Sequence, residues 1–309
     1  MALLFRRRLV LAKVESTYGT DPTPDGANNA ILTSNMSITP IQANMIDRNL
    51  DRTELGNDVS IHDGVHVACS FDVELTGSGA AGTEPAWGVL LRGCGFNETT
   101  TPSTSVAYAP VSSSFESLTI YYNVAGQLHK LTGCMGTVSF MMSPGELPKM
   151  SFTFTGLYNA PTSSALPTAD VSGFVTPVAV NNTNTTTASL QGENIVMENF
   201  SADIANDVQY RNVVGDEKVL IVDRAPTGSV TFEAPALSTK NWFTTALADG
   251  TGALSIVHGT TAGNICTLAA PAVQVTEPSY NESQGVVTLS TNLRFIPSSG
   301  DDELTITLT

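Results

Sequence analysis

The feature that most constrains the fold is a pattern of residues that occurs twice along the chain. Trp87 and Trp242, the only tryptophans among 309 residues, lie 242 − 87 = 155 residues apart, and each opens a short helix-like run that ends at glycine. At a nearby offset of 159, Arg52 corresponds to Arg211 in a similar loop. Self-similarity at a fixed spacing indicates a repeated structural unit. The sequence therefore predicts two related halves.

The correspondence extends along the chain, with offsets that change where loops differ in length. At offset 159 the segment Phe71, Val73, Glu74 falls on Val230, Phe232, Glu233. At offset 135, Val138 and Phe140 fall on Val273 and Val275, and residues 152–154 fall on residues 287–289. Each half is predicted to contain an opening strand, a long polar loop, a strand, one helix, and two or three more strands. The alternative is chance similarity between two β-rich halves.

Alternation of apolar and polar residues predicts that nearly all of the regular structure is strand. A period of two runs through residues 65–75, 150–158, 286–296 and 303–309, as expected for half-buried strands. The helices are predicted between Thr83 or Glu84 and Gly93, and between Ser238 and Gly250, from their capping residues. The predicted fold is all-β with one short helix per repeat, as two tandem β-sandwich or barrel domains related by internal duplication.

Composition sets the predicted domain boundaries. Residues 159–190 are rich in Thr, Ser, Asn and Pro, which is typical of a connector. We predict an N-terminal arm over residues 1–29, a first domain over 30–158, this connector, and a second domain over 191–309.

The charge balance excludes several classes of function. With 14 Lys and Arg against 29 Asp and Glu, the formal charge of −15 argues against wrapping nucleic acid through phosphate contacts. The apolar run after Arg8 is too short for a signal peptide or a membrane span, which indicates an intracellular protein without membrane insertion. The four cysteines form no CxxC pair, and Cys69 alternates with core residues.

The sequence contains no motif for catalysis or metal binding. It has no GxSxG, P-loop, HExxH or GxGxxG pattern. In IHDGVH the two histidines are too far apart on a strand for one metal, unless Asp63-Gly64 folds back. A pair of carboxylates close in space, as in glycosidases, stays open because spacing alone does not exclude it. We predict a non-enzymatic protein without metal or cofactor.

The N-terminal stretch LAKVESTYGTDPTPDGANNAIL, residues 11–32, resembles the opening of tail tube proteins of long-tailed bacteriophages. With the loop around Arg52, the strand that follows it, the helix at Trp87 and the repeated β-pattern, this resemblance covers nearly the whole chain. It implies a β-sandwich or barrel flanked by a helix, with copies joined into rings that stack into a hollow tube. Genomic DNA passes along such a tube into the host.

The resemblance also implies an assembly and its partners. Members of this family often carry one tube domain and form hexamers, so two domains per chain predict trimeric rings with pseudo-sixfold symmetry. The expected partners are further copies of the chain, the tape measure, tail terminator and tip proteins, and double-stranded DNA in transit. The expected location is the tail of the virion after synthesis in the host cytoplasm, and the duplicated form favours a non-contractile tail. The negative charge of the chain predicts an acidic channel that does not grip DNA.

Four groups of residues are candidates for roles in such an assembly. Candidates for the loops that stack rings are Asp47, Arg48, Asp51, Arg52, Glu54, Arg211, Asp216, Glu217 and Lys218, although a merely solvated loop would look the same. Candidates for lining the channel are His66, Ser70, Asp72, Glu74, Ser229, Thr231 and Glu233, with an outer solvated face as the alternative. Arm contacts are assigned to Arg6, Arg7 and Arg8. Trp87 and Trp242 are assigned to the core between helix and sheet, with a contact between subunits as the alternative.

Two other functions remain compatible with the sequence. One is a related structural protein, such as a tail terminator, a capsid decoration protein or a secretion tube. The other is a carbohydrate-binding adhesin of sandwich type.

Overall fold

The computed structural model describes residues 3–309, which form twenty strands and two short helices. The first half contains β1 (Arg8–Val14), β2 (Ala30–Ile31), β3 (Ser34–Ile46), β4 (Ile61–Glu74), α1 (Gly88–Gly93), β5 (Phe96–Thr101), β6 (Ser105–Pro110), β7 (Leu118–Val124), β8 (Gln127–Met142), β9 (Lys149–Tyr158) and β10 (Thr162–Ser163). The second half contains β11 (Thr185–Leu190), β12 (Glu193–Asn194), β13 (Met197–Asp203), β14 (Asn206–Val213), β15 (Asp216–Arg224), β16 (Thr227–Glu233), α2 (Trp242–Leu247), β17 (Thr251–His258), β18 (Cys266–Ser283), β19 (Val286–Ile296) and β20 (Thr305–Leu308). The all-β fold class predicted from the sequence is confirmed.

The strands of the two halves pair in the same order. In the first half the antiparallel order is β3-β4-β9-β8-β7-β1-β2. In the second half it is β13-β16-β19-β18-β17-β11-β12. The short strands β10 and β20 pair with the first residues of β8 and β18, respectively. One strand order thus occurs twice, whereas the β5–β6 hairpin has no counterpart in the second half and pairs through β6 with β20.

The register of the last two strands corrects the correspondence drawn from the sequence. Phe152 lies opposite Phe71, whereas Thr291 lies opposite Val230, so this offset is 291 − 152 = 139 and not 135. The first residues of β8 and β18 give the same value, 266 − 127 = 139. Side chains alternate between faces with a period of two, so a shift of four leaves the apolar pattern unchanged. Sequence periodicity therefore could not detect it.

Both helices are shorter than the predicted spans. Before α1, the chain passes through turns closed by hydrogen bonds from Thr83 N to Ala80 O and from Gly88 N to Pro85 O. Before α2, Asn241 caps the helix because its side chain accepts a hydrogen bond from Thr244 N, and the predicted start, Ser238, lies outside. The residues that were predicted to begin each helix form separate turns instead, so each helix has only six residues.

Trp87 is the N-cap residue of α1 and Trp242 is the first residue of α2, and they are 1% and 2% exposed. Trp87 packs on Tyr108 at 5.7 Å, and Trp242 meets Phe232 edge-on at 5.3 Å. The tryptophans belong to one continuous cluster of buried apolar residues that extends through both halves. The two halves therefore share a core.

The N-terminal segment is more integrated than an arm over residues 1–29 implies. Strand β1 is mostly buried and pairs along its whole length with β7, whereas Leu3–Arg7 before it are exposed. Glu15 follows β1 and is 7% exposed. Its carboxylate accepts four hydrogen bonds of 2.6–2.7 Å, from Gly19 N, Ser117 Oγ, Thr119 Oγ1 and Gly133 N. This carboxylate ties the N-terminal segment to β7 and β8.

We expect Glu15→Ala to lower the free energy of unfolding by about 3 kcal/mol, because buried donors lose their acceptor. The midpoint of chemical denaturation measures this loss. The matched control is Glu84→Ala, which removes an exposed carboxylate that accepts one hydrogen bond from Thr100. An equal loss in both variants would contradict the role assigned to Glu15.

Histidine 258 fixes the connector to the second half. It is 3% exposed; Thr185 Oγ1 lies 3.0 Å from its Nδ1, and Val178 O lies 3.1 Å from its Nε2. Burial lowers the pKa of His258 below its ordinary 6.5, despite the contact with Val178. Strand β11, inside the predicted connector, pairs with β17, so the connector is ordered at its C-terminal end.

We expect stability to fall as pH is lowered from about 7.5 to about 5. The folded state disfavours the charged imidazole, so below about pH 6.5 the unfolded chain takes up protons first. His258→Gln should reduce the drop in melting temperature without removing it, because burial also lowers the pKa of His129. Exposed His62→Gln serves as control and should keep the full drop. An undiminished drop in His258→Gln would contradict this assignment.

Candidate functional site

A strand-to-strand seam joins the two halves within the chain. The end of β8 pairs antiparallel with β13, where Ala202 lies opposite Phe140 and Phe200 opposite Met142. The pairing continues through a hydrogen bond of 3.1 Å from Ile204 N to Val138 O. The main sheet thus runs from the first half into the second without a break.

Side chains reinforce this seam on both sides of the sheet. The Asn206 amide donates to Cys94 O at 2.7 Å and to Gly136 O at 2.9 Å, which joins β14 to the end of α1. At a second junction, Arg224 donates to Val111 O at 2.5 Å and forms ion pairs with Asp301 and Glu303 at 2.6 and 3.1 Å. Neither contact was predicted, because each joins residues that are 70 to 113 positions apart.

Two strands, β3 and β18, take the same places in the strand orders of their halves as β13 and β8, but each keeps an open edge. Strand β3 holds the place of β13, and within residues 3–309 only β4 pairs with it. Strand β18 holds the place of β8. Its pairing with β17 stops at Gln274, so in the described chain the last part of this edge meets no strand. Residues 279–282 of that part are exposed. Open edges of this kind invite pairing with another chain.

Two arms extend beyond the sheet at this end of the first half. We call residues 41–63, which comprise the end of β3, the loop 47–60 and the start of β4, the first arm, and the hairpin of β14 and β15 the second arm. The second arm is docked: the Tyr210 ring stacks on His66 at 4.4 Å, and Val219 N donates to Tyr18 Oη at 2.6 Å. Burial raises the pKa of Tyr18 to about 12, so its phenol stays protonated. The first arm, in contrast, is exposed at nearly every residue from 41 to 63.

The charged residues predicted to stack rings lie on these arms and are largely paired within them. Arg52 pairs with Asp58, Lys218 pairs with Asp216 at 2.6 Å, and Tyr210 donates to Glu217 at 2.7 Å. Exposed apolar side chains also lie near the tips: Leu50, Leu55, Val59, Val213 and Val214. These residues were not predicted, although apolar side chains in a polar loop are a signal that the sequence contains.

The residues predicted to line a channel share the face of the main sheet that points away from the core. Ser70, Asp72 and Glu74 alternate with buried Phe71 and Val73 on β4. Ser229, Thr231 and Glu233 do the same on β16. His66 lies on this face but is covered by Tyr210.

Hydroxyl groups dominate this face, and many are paired across strands. Ser201 and Ser229 lie 2.9 Å apart, Thr231 and Ser290 lie 2.8 Å apart, and Ser151 Oγ donates to Asp72 at 2.5 Å. Cations also occur here, since Lys149 lies opposite Glu74 and Arg294 lies on β19 opposite Thr227. The face is therefore less acidic than the net charge of the chain implied.

The three arginines of the N-terminal segment have different settings. Arg6 and Arg7 are exposed. Arg8 begins β1, donates to Met36 O at 2.6 Å and lies 4.2 Å from the Phe5 ring centre. Arg8 thus holds the base of β3 within the same chain.

Two other kinds of feature, a membrane-spanning helix and a metal-binding cluster, are absent from residues 3–309. No helix there is long and apolar enough to cross a membrane. No group of three or more His, Cys, Asp or Glu side chains in that range is placed to hold a metal ion. The four cysteines are buried as free thiols, and burial raises the pKa of Cys69 and Cys266 to about 12.

Comparison with known families decides between the classes of function that the fold permits. The family model described as phage tail tube protein matches residues 6–295, which is nearly the whole chain. The chain belongs to the phage tail tube protein family. It is thus a structural component of a phage tail, and the resemblance noted in the sequence is confirmed. A search of curated proteins gave no significant match. As a tail tube protein, the chain assembles with copies of itself in the virion.

Proposed function

We propose that three copies of this tail tube protein form a closed ring with pseudo-sixfold symmetry, and that the rings stack into a DNA-conducting tube. The observation that carries the proposal is the seam between β8 and β13, together with open edges on the two strands that correspond to them. The repeated strand order supports duplication of one tube module within the chain. Two modules per chain and six modules per ring give three chains.

The internal seam specifies how neighbouring chains join. If each module meets the next in the same way, β18 of one chain pairs with β3 of its neighbour. Ile38 corresponds to Ala202, because their partners on the adjacent strand are Cys69 and Gly228, which are 159 residues apart. Tyr280 corresponds to Phe140, because their partners are Leu289 and Met150, which are 139 residues apart. The joint thus places Tyr280 opposite Ile38.

Ring closure removes the open edges of β3 and β18. In one ring, three seams inside chains alternate with three seams between chains, and the sheet becomes a continuous barrel. Closed symmetry of this kind is the usual way in which oligomers satisfy exposed strand edges.

The hydroxyl-rich face of the sheet is the proposed channel lining. Hydroxyl groups that already pair with one another have little need of phosphate as a partner. Asp72, Glu74 and Glu233 add like charge toward DNA, and the whole ring carries 3 × −15 = −45 formal charges. Such a surface lets the duplex slide because no cluster of cations holds it.

The tips of the two arms are the proposed contacts between stacked rings. Their exposed leucines and valines supply apolar area for this contact. The neighbouring charges on residues 47–54 and 211–218 favour one rotation of a ring relative to the next. We further propose a non-contractile tail, in which the tape measure protein occupies the lumen during assembly and terminator and tip proteins close the ends.

Electron microscopy of the purified protein tests this function. Long hollow tubes or stacked discs are the expected result. Isolated compact particles at all concentrations would contradict the proposal.

A further inference from the structure

The second helix carries an unfilled groove that its counterpart lacks. In α1, Leu90, Leu91 and Gly93 are buried, whereas in α2 only Trp242 is buried. Phe243, Ala246 and Leu247 line a groove of about 480 Å³ whose other wall is formed by Asp249 and residues 276–278 of β18. Leu247 is 86% exposed. This apolar groove lies beside the open edge of β18.

The corresponding end of α1 is covered by the second arm. Asn206 at the base of this arm donates to Cys94 O, just after the helix. Ile221 on the same arm is 9% exposed and lies 3.4 Å from the position that a Cβ on Gly95 would take. The second arm, which follows β13 in the chain, therefore covers the C-terminal end of α1 in the first half.

The first arm corresponds to the second arm and bears suitable uncovered apolar groups. Ile41, Met45, Ile46 and Ile61 are about half exposed. The hydrogen bond from Asn206 to Cys94 O also has counterpart positions on the first arm and at the end of α2. Gln42 lies within one residue of the counterpart of Asn206: the chain offset is 206 − 42 = 164, as for Ile38 and Ala202. The strand partners of Gln42 and Asn206, which are His66 and Arg224, are 158 residues apart after a register shift between Thr39 and Gln42. Asp249 corresponds to Cys94, since 249 − 94 = 155 equals the spacing of the tryptophans.

We propose that the groove on α2 is the docking site for the first arm of a second copy of this chain. In the docked state the Gln42 amide donates to the carbonyl oxygen of Asp249, and Ile41 and Met45 cover Leu247 and Phe243. This inference rests on the proposed ring, because the neighbouring β3 must lie beside β18 for its arm to reach α2.

We assign a second copy of this chain to the groove because, within one chain, the second arm already covers the corresponding end of α1. The groove is continuous with the edge that the neighbouring β3 completes, and the arm begins at that strand. Apolar area is exposed on both surfaces, and burying both removes it from water in one step.

A double cysteine variant of the full chain, Gln42→Cys with Asp249→Cys, tests the contact. The native thiols are buried, so the two new cysteines dominate the reaction with a short bismaleimide. We expect covalent dimers and trimers on denaturing gels when the protein is assembled. Each single variant, and the pair Gln42→Cys with exposed Thr101→Cys, should give monomers.

Leu247→Glu provides a second measurement that needs no crosslinking. Leu247 is exposed in the single chain, so the variant should fold, as circular dichroism can verify. We expect at least a tenfold rise in the protein concentration needed for tube formation. Normal tubes with neither crosslinks nor this rise would overturn the docking site and leave the ring intact. Absence of tubes in the unmodified protein would instead overturn the ring itself.

Discussion

Replacing Tyr280 with aspartate is expected to abolish tube formation and leave the chain folded. Tyr280 is 54% exposed and contacts Phe243 at a ring distance of 5.1 Å, whereas its counterpart Phe140 is fully buried at the internal seam. The neighbouring chain should bury Tyr280 in the same way. A carboxylate at that place costs several kcal/mol, on the order of 3, and does so at each of three seams per ring. We expect the concentration needed for assembly to rise at least about a hundredfold.

Sedimentation of assembled material, checked by electron microscopy, measures this effect. Tyr280→Phe is the matched control, because it keeps the aromatic ring and should form tubes like the unmodified protein. Tubes from Tyr280→Asp at the usual concentration would show that this edge does not join subunits.

Adding lysines to the hydroxyl-rich face is expected to slow DNA release at least about tenfold without preventing assembly. The variant combines Ser70→Lys, Ser229→Lys and Glu233→Lys, which changes the charge of a chain by 1 + 1 + 2 = +4 and of a ring by 3 × 4 = +12. Ammonium groups on the lining bind phosphates and release counterions, so the duplex is held as it passes. Phage particles carrying the variant are triggered in vitro, and a DNA-binding dye follows the release.

A variant with the same added charge elsewhere separates the lining from net charge. The control variant adds the same charge of +4 at exposed positions outside that face, through Thr99→Lys, Thr101→Lys and Glu146→Lys. This control should release DNA at the normal rate. Higher salt should restore the rate of the lining variant, because counterion release weakens as salt rises. Equal rates in both variants would contradict the channel assignment.

Strands were the most predictable part of the molecule because burial of one face imposes a period of two. The run from Val286 to Ile296 was predicted within the same bounds that β19 has. The same period hides a shift of four residues, which is why the correspondence of β8 with β18 and of β9 with β19 was wrong. Strand pairing, which the sequence does not contain, was needed to correct it.

Contacts between distant residues were beyond prediction. Glu15 looks like any surface carboxylate in sequence, yet its donor at Gly133 lies 118 residues away. Asn206 bonds to Cys94, 112 residues earlier, because the seam brings the two halves together. The apolar arm tips could have been found, since Leu55 and Val59 interrupt an otherwise polar loop. The prediction of stacking contacts used charge alone and therefore named the charged neighbours of these residues.

A cryo-EM map of the assembled tube tests the ring most directly. It should show three chains per ring, with six similar lobes and β3 of each chain hydrogen-bonded to β18 of the next, Ile38 facing Tyr280. A ring of six whole chains, or one in which these two edges remain apart, would contradict it.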